Sequence, residues 1–523
     1  MLASSNPSAF PASSANVALM EHRNLERFGK YTRLYFEDCS YTNVEELQSA
    51  GALARVLHEN GVMPGDRVVL VMPNTPELTA CFQAVWTVGG VVVPVMPQWT
   101  SGEIAHVLKD AGARTVATVA PLAQRIVEAD RDLDGVRNLL VFGDSPAYGA
   151  KNILPQIAGA TKMVQIPVDR SADDIAMLLY TSGTTAAPKG VIATHGNVSA
   201  AVHAVCEMNA DMPKLPMLHA LPLTHVFGLL LLKCAGEWGL SSVLVRQFEP
   251  TKVLEAIEQH KVGYLPMVPT MMLYLMSHPD HARYRTDSLY RTVSGGAALP
   301  EQVRVMFSKV FPGRADQGYG MSESVGIVTV YDDHDTYRPG SAGRAVPGVT
   351  IRIVDENNQP LSPRQVGEIC LIGPNISPGY WNDETATKEA YEGGWFHTGD
   401  VGYLDEDGFL YITDRKKDLI IKGGENISPR EIEEVLYLHP AVAEAAVVGV
   451  ADSKFGEEIC AVLQNRPGLI VTEEDIRNHV GRHLAKFKVP GRVVFRATLP
   501  KSSTGKIQKR ILRDQLSLSA VAA

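Results

Sequence analysis

Two kinds of hydrophobic spacing alternate through roughly the first 300 residues. Arg67–Met72 (RVVLVM) and Gly90–Val95 (GVVVPV) are continuous apolar runs, each short enough for one strand. Between and after them, Thr75–Val88, which opens Thr-Pro-Glu, and Ser101–Asp110 carry helical spacing. A strand apolar on both faces, followed by a helix, is what parallel sheets covered by helices require. The alternation returns from Met217 (MLHALPL) through Ser242–Arg246 and Val253–His260 to Tyr264–Val268.

From about Ser341 the pattern shortens. Val349–Val354, Gly367–Ile372 and Gly408–Ile412, the last after the turn Asp405-Glu406-Asp407-Gly408, predict a small antiparallel β subdomain over 341–414. Beyond Asp414 it changes again. Ser428–Leu436 (SPREIEEVL) predicts a helix with a Ser N-cap, Pro in the first turn and early acidic residues. Ala445–Val450 and Ile459–Leu463 predict strands, and Thr472–Leu484 another helix. The expected fold class is α/β: a large N-terminal domain of helix-covered mixed or parallel sheets over 18–414, then a small α+β domain over 418–523. The basic cluster Asp414-Arg415-Lys416-Lys417-Asp418 lies at their junction, and Met1–Val17, rich in Ser, Ala and Pro, reads as a disordered lead-in.

A chain of 523 residues exceeds the roughly 250–300 at which single cores stop growing, which agrees with several domains. Its 45% hydrophobic and 20% charged residues are ordinary globular values. With 49 basic against 58 acidic residues the net charge is -9, which argues against a broad nucleic-acid surface and leaves room for a local anion site. Six cysteines (Cys39, Cys81, Cys206, Cys234, Cys370, Cys460) include no CxxC pair, so buried or idle thiols are expected rather than a disulfide scaffold or zinc site. No basic n-region precedes an apolar core at the N-terminus, no run reaches the roughly 18–20 apolar residues of a membrane span, and no Ser-Lys-Leu address closes the chain. A cytoplasmic location is the expectation.

The chemistry concentrates first in Tyr180-Thr181-Ser182-Gly183-Thr184-Thr185-Ala186-Ala187-Pro188-Lys189-Gly190, after the apolar run Ile175–Leu179. Glycine and small hydroxyl residues let backbone N–H groups approach phosphate oxygens, and Lys189 adds positive charge. A Walker A loop is excluded, because Lys189 is followed by Gly190 rather than Ser or Thr. A flexible solvent loop is the bland alternative for this segment taken alone.

This loop resembles the signature of the adenylate-forming superfamily, which includes acyl- and aryl-CoA synthetases, luciferases and peptide-synthetase adenylation domains; the family usually has Gly where Ala186 stands. Further segments resemble that family's motifs in its own order. Leu221–Gly228 (LPLTHVFG) resembles the motif whose His borders the acyl pocket, which makes His225 a pocket and catalytic candidate. Ser294-Gly295-Gly296-Ala297-Ala298 resembles the turn lying against adenine and the acyl chain, with Gly296 and Ala297 toward the nucleotide and Gly296 and Ala298 toward the acyl group. Gln317-Gly318-Tyr319-Gly320-Met321-Ser322-Glu323 resembles the adenylate motif. There Tyr319 would stack on adenine, Ser322 would bond the α-phosphate, and Glu323, with Thr184, would hold Mg²⁺. Trp395–Asp400 resembles the ribose motif, with Asp400 accepting both hydroxyls and Arg415 nearby. Lys417 falls at the family's hinge, 415–417, about which a mobile C-terminal domain turns. Gly423-Gly424-Glu425-Asn426 resembles the loop beside the pantetheine tunnel. Pro500–Lys509 (PKSSTGKIQK) resembles the motif carrying the adenylation lysine, here Lys506.

The resemblance implies a carboxylic acid–CoA ligase that forms acyl-AMP and pyrophosphate, then acyl-CoA and AMP, with Mg²⁺ as cofactor and ATP and CoA as co-substrates. Thr181, Ser182, Gly183, Thr184, Thr185, Lys189, Gln317, Gly318, Tyr319 and Gly320 would cradle the nucleotide, and Lys417, Gly423 and Gly424 would serve CoA and the hinge. The mainly apolar stretches Val202–Cys206, His225–Leu229, Ser294–Ala298 and Ser324–Thr329 favour a medium-chain fatty or aromatic acid. Arg291 is the alternative reader of a dicarboxylate such as malonate, set against a structural ion pair. Two other readings stand: adenylation that loads a separate carrier protein or feeds an oxidation, and a non-catalytic acyl or nucleotide sensor. The endings Lys422–Ile427 and Lys501–Lys509 look like stand-alone acyl-CoA synthetases, no carrier domain is expected after residue 523, and a homodimer is the assembly carried forward.

Overall fold

A computed structural model describes residues 15–159, 164–181, 188–452, 454–502 and 505–521. Two seven-stranded sheets form its larger part. One runs in the order Ala150–Asn152, Asn138–Phe142, Thr115–Val119, Arg67–Val71, Val91–Val95, Ile175–Thr181 and Lys189–Thr194. Its strands are parallel except for the last, which turns back beside Ile175–Thr181 with Thr181 opposite Lys189. The other runs Arg314–Gln317, Arg291–Ser294, Tyr264–Met267, Met217–His219, Ser242–Leu244, Thr32–Phe36 and Cys39–Thr42, again parallel but for the final hairpin. Val68, Val69, Leu70 and Val71 are all fully buried, because helices cover both faces of this strand. The helix Pro76–Thr87 starts where its first residues dictate: the Thr75 hydroxyl accepts the Leu78 N–H, and Pro76 occupies the first turn.

An antiparallel sheet of Thr350–Val354, Gly367–Ile372, Trp395–Leu404, Tyr391–Glu392 and Leu410–Arg415 follows, as the shortened pattern predicts. The expected strand at Gly408–Ile412 begins and ends later. Asp405 Oδ1 accepts the N–H groups of Asp407 and Phe409, so the turn extends to residue 409. Pairing with Trp395–Leu404 then carries the strand on to Arg415, opposite Asp400. The last sheet holds Glu425–Ile427, Ile420–Lys422, Gly456–Asn465, Val442–Asp452 and Arg492–Phe495. It packs on the helices Pro429–Tyr437 and Glu473–His483 around Ile432, Leu436, Val447, Ile476 and Val480. Its central hairpin is longer than its apolar runs, since pairing continues from Val442 opposite Asn465 to Asp452 opposite Gly456.

The disorder expected through Val17 does not extend over Ala15–Val17, while the residues before them lie outside the described ones. Ala15, Asn16 and Val17 are buried, Asn16 Nδ2 donates to the Val168 carbonyl at 3.0 Å, and the Val17 N–H donates to His195 Nδ1 at 3.1 Å. A largely apolar Ala-Asn-Val-Ala run whose Asn side chain finds partners gains more by packing than by staying in solvent. Among the described residues no helix is long and apolar enough to cross a membrane.

Candidate active site

The carboxyl ends of parallel strands open into the crevice where α/β sheets bind ligands. Four predicted site segments stand at that edge of the second sheet. His225 follows Met217–His219, Gly295–Ala298 follow Arg291–Ser294, and Gln317–Gly320 follow or extend Arg314–Gln317. Gly505, from the far end of the chain, docks onto Thr270, which follows Tyr264–Met267.

Short backbone and side-chain bonds tie these turns together. The Gly318 N–H donates to the Ser294 carbonyl at 2.9 Å, and Gln317 Oε1 accepts the Leu299 N–H at 2.9 Å. Gln317 therefore holds the neighbouring turn in place with its side chain. Gly320 is dictated by its neighbour: a Cβ there would stand 1.8 Å from the Gly326 carbonyl oxygen, a backbone atom that cannot give way. Gly296 has φ +73 and is exposed, as is Ala298, while Ala297 is half-buried.

Asp400 is buried, with one carboxylate oxygen accepting from the Tyr319 hydroxyl at 2.7 Å and the other 2.8 Å from Arg415 Nε. The strand register sets this contact by pairing Asp400 with Arg415. Burial and the adjacent carboxylate push the Tyr319 phenol far up, so it remains a neutral donor. Glu368, read in the sequence only as part of a strand, anchors the same turn. Its carboxylate accepts the Gly399 N–H at 3.2 Å, lies 3.2 Å from Lys416 Nζ and 3.4 Å from His397 Nδ1. Cys370 Sγ lies 3.4 Å from His397, but burial pushes its thiol up to about 12, which removes it as a nucleophile. The other thiols are free and, apart from exposed Cys39, buried.

Lys506 reaches this cluster on a tight loop. The Ser502 N–H donates to the Lys506 carbonyl at 2.8 Å, and the Gly505 N–H to the Ser502 carbonyl at 2.9 Å. Gly505 takes φ +83, and its carbonyl accepts the Thr270 hydroxyl at 3.2 Å; a Cβ there would stand 2.8 Å from that hydroxyl. Only glycine fits both the backbone conformation and the contact. Lys506 keeps solvent contact, while charged neighbours and surrounding protein crowd its ammonium. Burial, with the charge of Arg415 second and Lys417 contributing, pulls its ammonium down to about 8, against the opposing pull of Asp400 and Asp418. His225 is drawn down to about 4 by burial and then by Lys506. Its Nδ1 accepts the Phe227 N–H at 3.2 Å as the cap of helix Val226–Glu237, so the neutral ring carries its proton on Nε2.

Glu323 and Lys189 form the second half of the site. Glu323 Oε1 accepts the Tyr380 hydroxyl at 2.9 Å, and Lys189 Nζ lies 5.4 Å from the Tyr380 ring centroid and 3.6 Å from Asp383 Oδ2. Tyr380 carried no signal in the sequence beyond an aromatic pair after Pro378-Gly379. Ser322, half-buried, opens the turn that presents Glu323. Thr181 ends its strand opposite Lys189, whereas Ser182, Gly183, Thr184 and Thr185 lie outside the described residues. Among the described residues no three acidic, His or Cys side chains cluster as a metal cage. Glu323 alone suits Mg²⁺, which binds through one or two carboxylates plus phosphate oxygens and water.

Gly423 and Gly424 are not brought to this cluster. They form an exposed hairpin tip with φ +61 and +90, where the Gly423 N–H donates to the Phe455 carbonyl. Lys417 is exposed near Arg415, and burial by its neighbours lowers its ammonium. Arg291 does not face a ligand. It is buried against Asp316 at 2.8 Å, Asn209, Asp333 and the Tyr331 carbonyl.

Residues 21–381 match the family described as AMP-binding enzyme, and residues 431–506 match the AMP-binding enzyme C-terminal domain. The chain is 34% identical over 519 residues to a long-chain-fatty-acid–CoA ligase of Bacillus subtilis, covering 94% of this chain and 92% of that protein. Among solved structures, the anthranilate CoA ligase AuaEII in complex with anthranoyl-AMP aligns with TM-score 0.91 at 25% identity, over 98% of this chain and 99% of that one. ATP-bound MatB from Rhodopseudomonas palustris aligns with TM-score 0.87 at 29% identity, over 96% and 99%. Its apo form, at the same identity and coverage, aligns at 0.76.

Proposed function

Because the chain belongs to the AMP-binding enzyme family, in its carboxylic acid–CoA ligase branch, we propose that it activates a monocarboxylic acid, medium-chain fatty or aromatic, as acyl-AMP and passes the acyl group to coenzyme A. The observation that carries this is the docking of the Gly505–Lys506 turn, the last before the C-terminal helix, onto Thr270, which brings the Lys506 charge to bear on His225 and into the field of Arg415 and Asp400.

A carboxylate is a poor electrophile, because direct thiol attack would have to expel oxide. In the first half-reaction a carboxylate oxygen forms a bond to the α-phosphorus of ATP, the bond to the β-phosphate bridging oxygen breaks, and pyrophosphate leaves. Asp400, oriented by Tyr319 and Arg415, accepts the ribose hydroxyls. The turns at Gly296–Ala297 and Gln317–Gly320 flank the base. The Lys506 ammonium faces the charge that builds between the two reacting anions, where a fixed cation acts most strongly. His225 donates Nε2–H toward the acyl carboxylate. Glu323 would hold a magnesium ion brought in with ATP, which neutralises phosphate charge when bound. In the second half-reaction the CoA thiolate attacks the acyl carbonyl and AMP leaves.

That second step needs Lys506 out of the way and a channel in its place. We assign this to a rotation about residues 415–417 that brings the Gly423–Gly424 tip over the pocket. Away from the pivot it would break the contacts of Thr270 to Gly505, Lys501 Nζ to the Tyr274 hydroxyl at 2.8 Å, and Arg466 to Met306 Sδ. Beside the pivot, Ser428 bonded to Thr413 and Asp414, and Arg430 bonded to Asp414 and Ile412, would have to yield as well. The better match to ATP-bound than to apo MatB supports reading this arrangement as the adenylating one.

The acyl side is apolar. The Phe227 ring lies 2.9 Å from where a Gly295 Cβ would be, and the Leu230 side chain 2.5 Å from a Gly326 Cβ. Arg291 is spent in its ion-pair network, which leaves the dicarboxylate reading without its reader. A panel of fatty, aromatic and dicarboxylic acids, assayed for pyrophosphate release with and without CoA, tests the reading. Expected are pyrophosphate and AMP with a monocarboxylic acid and a CoA-dependent thioester. Adenylation without CoA transfer would favour carrier loading or oxidation, and silence with every acid would restore the sensor. A homodimer in the cytoplasm belongs to the same proposal, and sedimentation of the purified protein tests the assembly.

A further inference from the structure

The segment that holds Tyr380 is stitched to both charged elements of the phosphate site. On one side the Trp381 N–H donates to the Gly190 carbonyl at 2.7 Å and the Ile192 N–H to the Gly379 carbonyl at 3.0 Å, so residues 379–381 extend the sheet beyond Lys189–Thr194. Gly190 permits this approach, since a Cβ there would stand 3.0 Å from the Tyr180 ring and 3.3 Å from Trp381 Cβ. On the other side the Ser377 N–H donates to the Glu323 carbonyl at 2.8 Å, and Asn375 Nδ2 to the Ser324 carbonyl at 3.0 Å. Tyr380 thus stands at a fixed place between the strand that starts at Lys189 and the turn that presents Glu323.

Its side chain serves each neighbour with a different part. The hydroxyl donates to Glu323 Oε1 at 2.9 Å, and the ring lies beneath the Lys189 ammonium at 5.4 Å. Among the described residues no donor reaches Glu323 Oε2. A hydrogen bond to one oxygen of a carboxylate fixes its plane and leaves the other oxygen's lone pairs directed outward. The ring face holds the ammonium without consuming any of the Lys189 N–H groups, of which one faces Asp383 Oδ2 at 3.6 Å.

We propose that Tyr380 is a positioning residue for magnesium-bound ATP, orienting Glu323 through its hydroxyl and Lys189 through its ring. This rests on the reading of Glu323 as the metal carboxylate and Lys189 as a phosphate ligand. Tyr380→Phe separates the two roles, because it removes the hydroxyl and keeps the ring.

The test is calorimetric binding of ATP without acid, so that nothing turns over, once with Mg²⁺ and once with EDTA. For the wild type, the ratio of the two Kd values measures how much the cation tightens binding. In Tyr380→Phe that ratio should shrink by about tenfold, the scale of one hydrogen bond to a charged group, while the Kd in EDTA stays within about twofold. Tyr380→Leu should weaken ATP in EDTA as well, since Lys189 loses its ring. Glu323→Gln should lose most of the Mg²⁺ dependence. A wild-type ratio in Tyr380→Phe beside a collapsed ratio in Glu323→Gln overturns the role of Tyr380. Equal weakening of Tyr380→Phe in both conditions also overturns it, by reducing Tyr380 to a structural part. A wild-type ratio in Glu323→Gln instead overturns the underlying reading of the metal site.

Discussion

Replacing Lys506 with alanine removes the cation that the Gly505 turn brings to the proposed nucleotide site. Gly505 and Thr270 hold the loop by backbone and hydroxyl contacts, so the substitution takes away a charge and leaves the docking intact. Loss of one preorganised charge at the reacting centre costs about 10²–10³ in rate. Acid-dependent exchange of pyrophosphate into ATP should fall by that factor. Thioester formation from purified acyl-AMP and CoA should stay within a few-fold of wild type, because Lys506 plays no part once pyrophosphate has left. The pH profile sharpens the test. With the ammonium held near 8, about nine-tenths of free wild-type molecules carry the charge at pH 7 and about one-tenth at pH 9. The charged form is the active one, so kcat/KM for the exchange is full below 8 and falls as pH rises through it. Lys506→Ala should lose that limb, and Lys506→Arg should keep its charge, and the residual rate it supports, above pH 9. Equal loss in both half-reactions, or an unchanged basic limb in Lys506→Ala, refutes the assignment.

Two further substitutions probe a neighbour of that lysine and the buried ion-pair network around Arg291. Asp400→Asn leaves Arg415 without its buried partner and removes the negative charge that opposes the lowering of Lys506, so ATP binding should weaken by about tenfold or more and the basic limb should move to lower pH; calorimetry and the exchange profile read the two effects separately. Arg291→Leu should cost about 3 kcal/mol in urea unfolding, the low end for breaking a buried pair, because Asp316 keeps Arg314 at 2.6 Å, and the ranking of acids in the panel should not change.

Much of this architecture was written in the spacing of apolar residues, and the failures have physical causes. The buried parallel strands stood out because helices on both faces demand unbroken apolar runs, as at Arg67–Val71 and Val91–Val95. Edges blurred where pairing rather than burial extends a strand. Leu410–Arg415 runs on through half-buried residues to meet Asp400, and Val442–Asp452 continues into polar positions held by its partner. Asp400, Arg415, Tyr319 and Lys506 were legible through motifs, since each motif keeps a local order of glycine and polar residues. Tyr380 and Glu368 were not, because their roles depend on partners such as Glu323, Lys189 and Gly399 that lie far off in sequence. The packing of Asn16 and Val17 was missed for a similar reason: they are held by Val168 and His195, which only the fold brings near.

The proposition beneath all of this is that the acid attacks ATP at its α-phosphorus. It is tested most directly by supplying an acid that turns over, labelled with ¹⁸O in its carboxylate, with ATP, Mg²⁺ and CoA, and weighing the products by mass spectrometry. One labelled oxygen in AMP, with unlabelled pyrophosphate, is the expected result. ADP as the nucleotide product, with the label in inorganic phosphate, would contradict it.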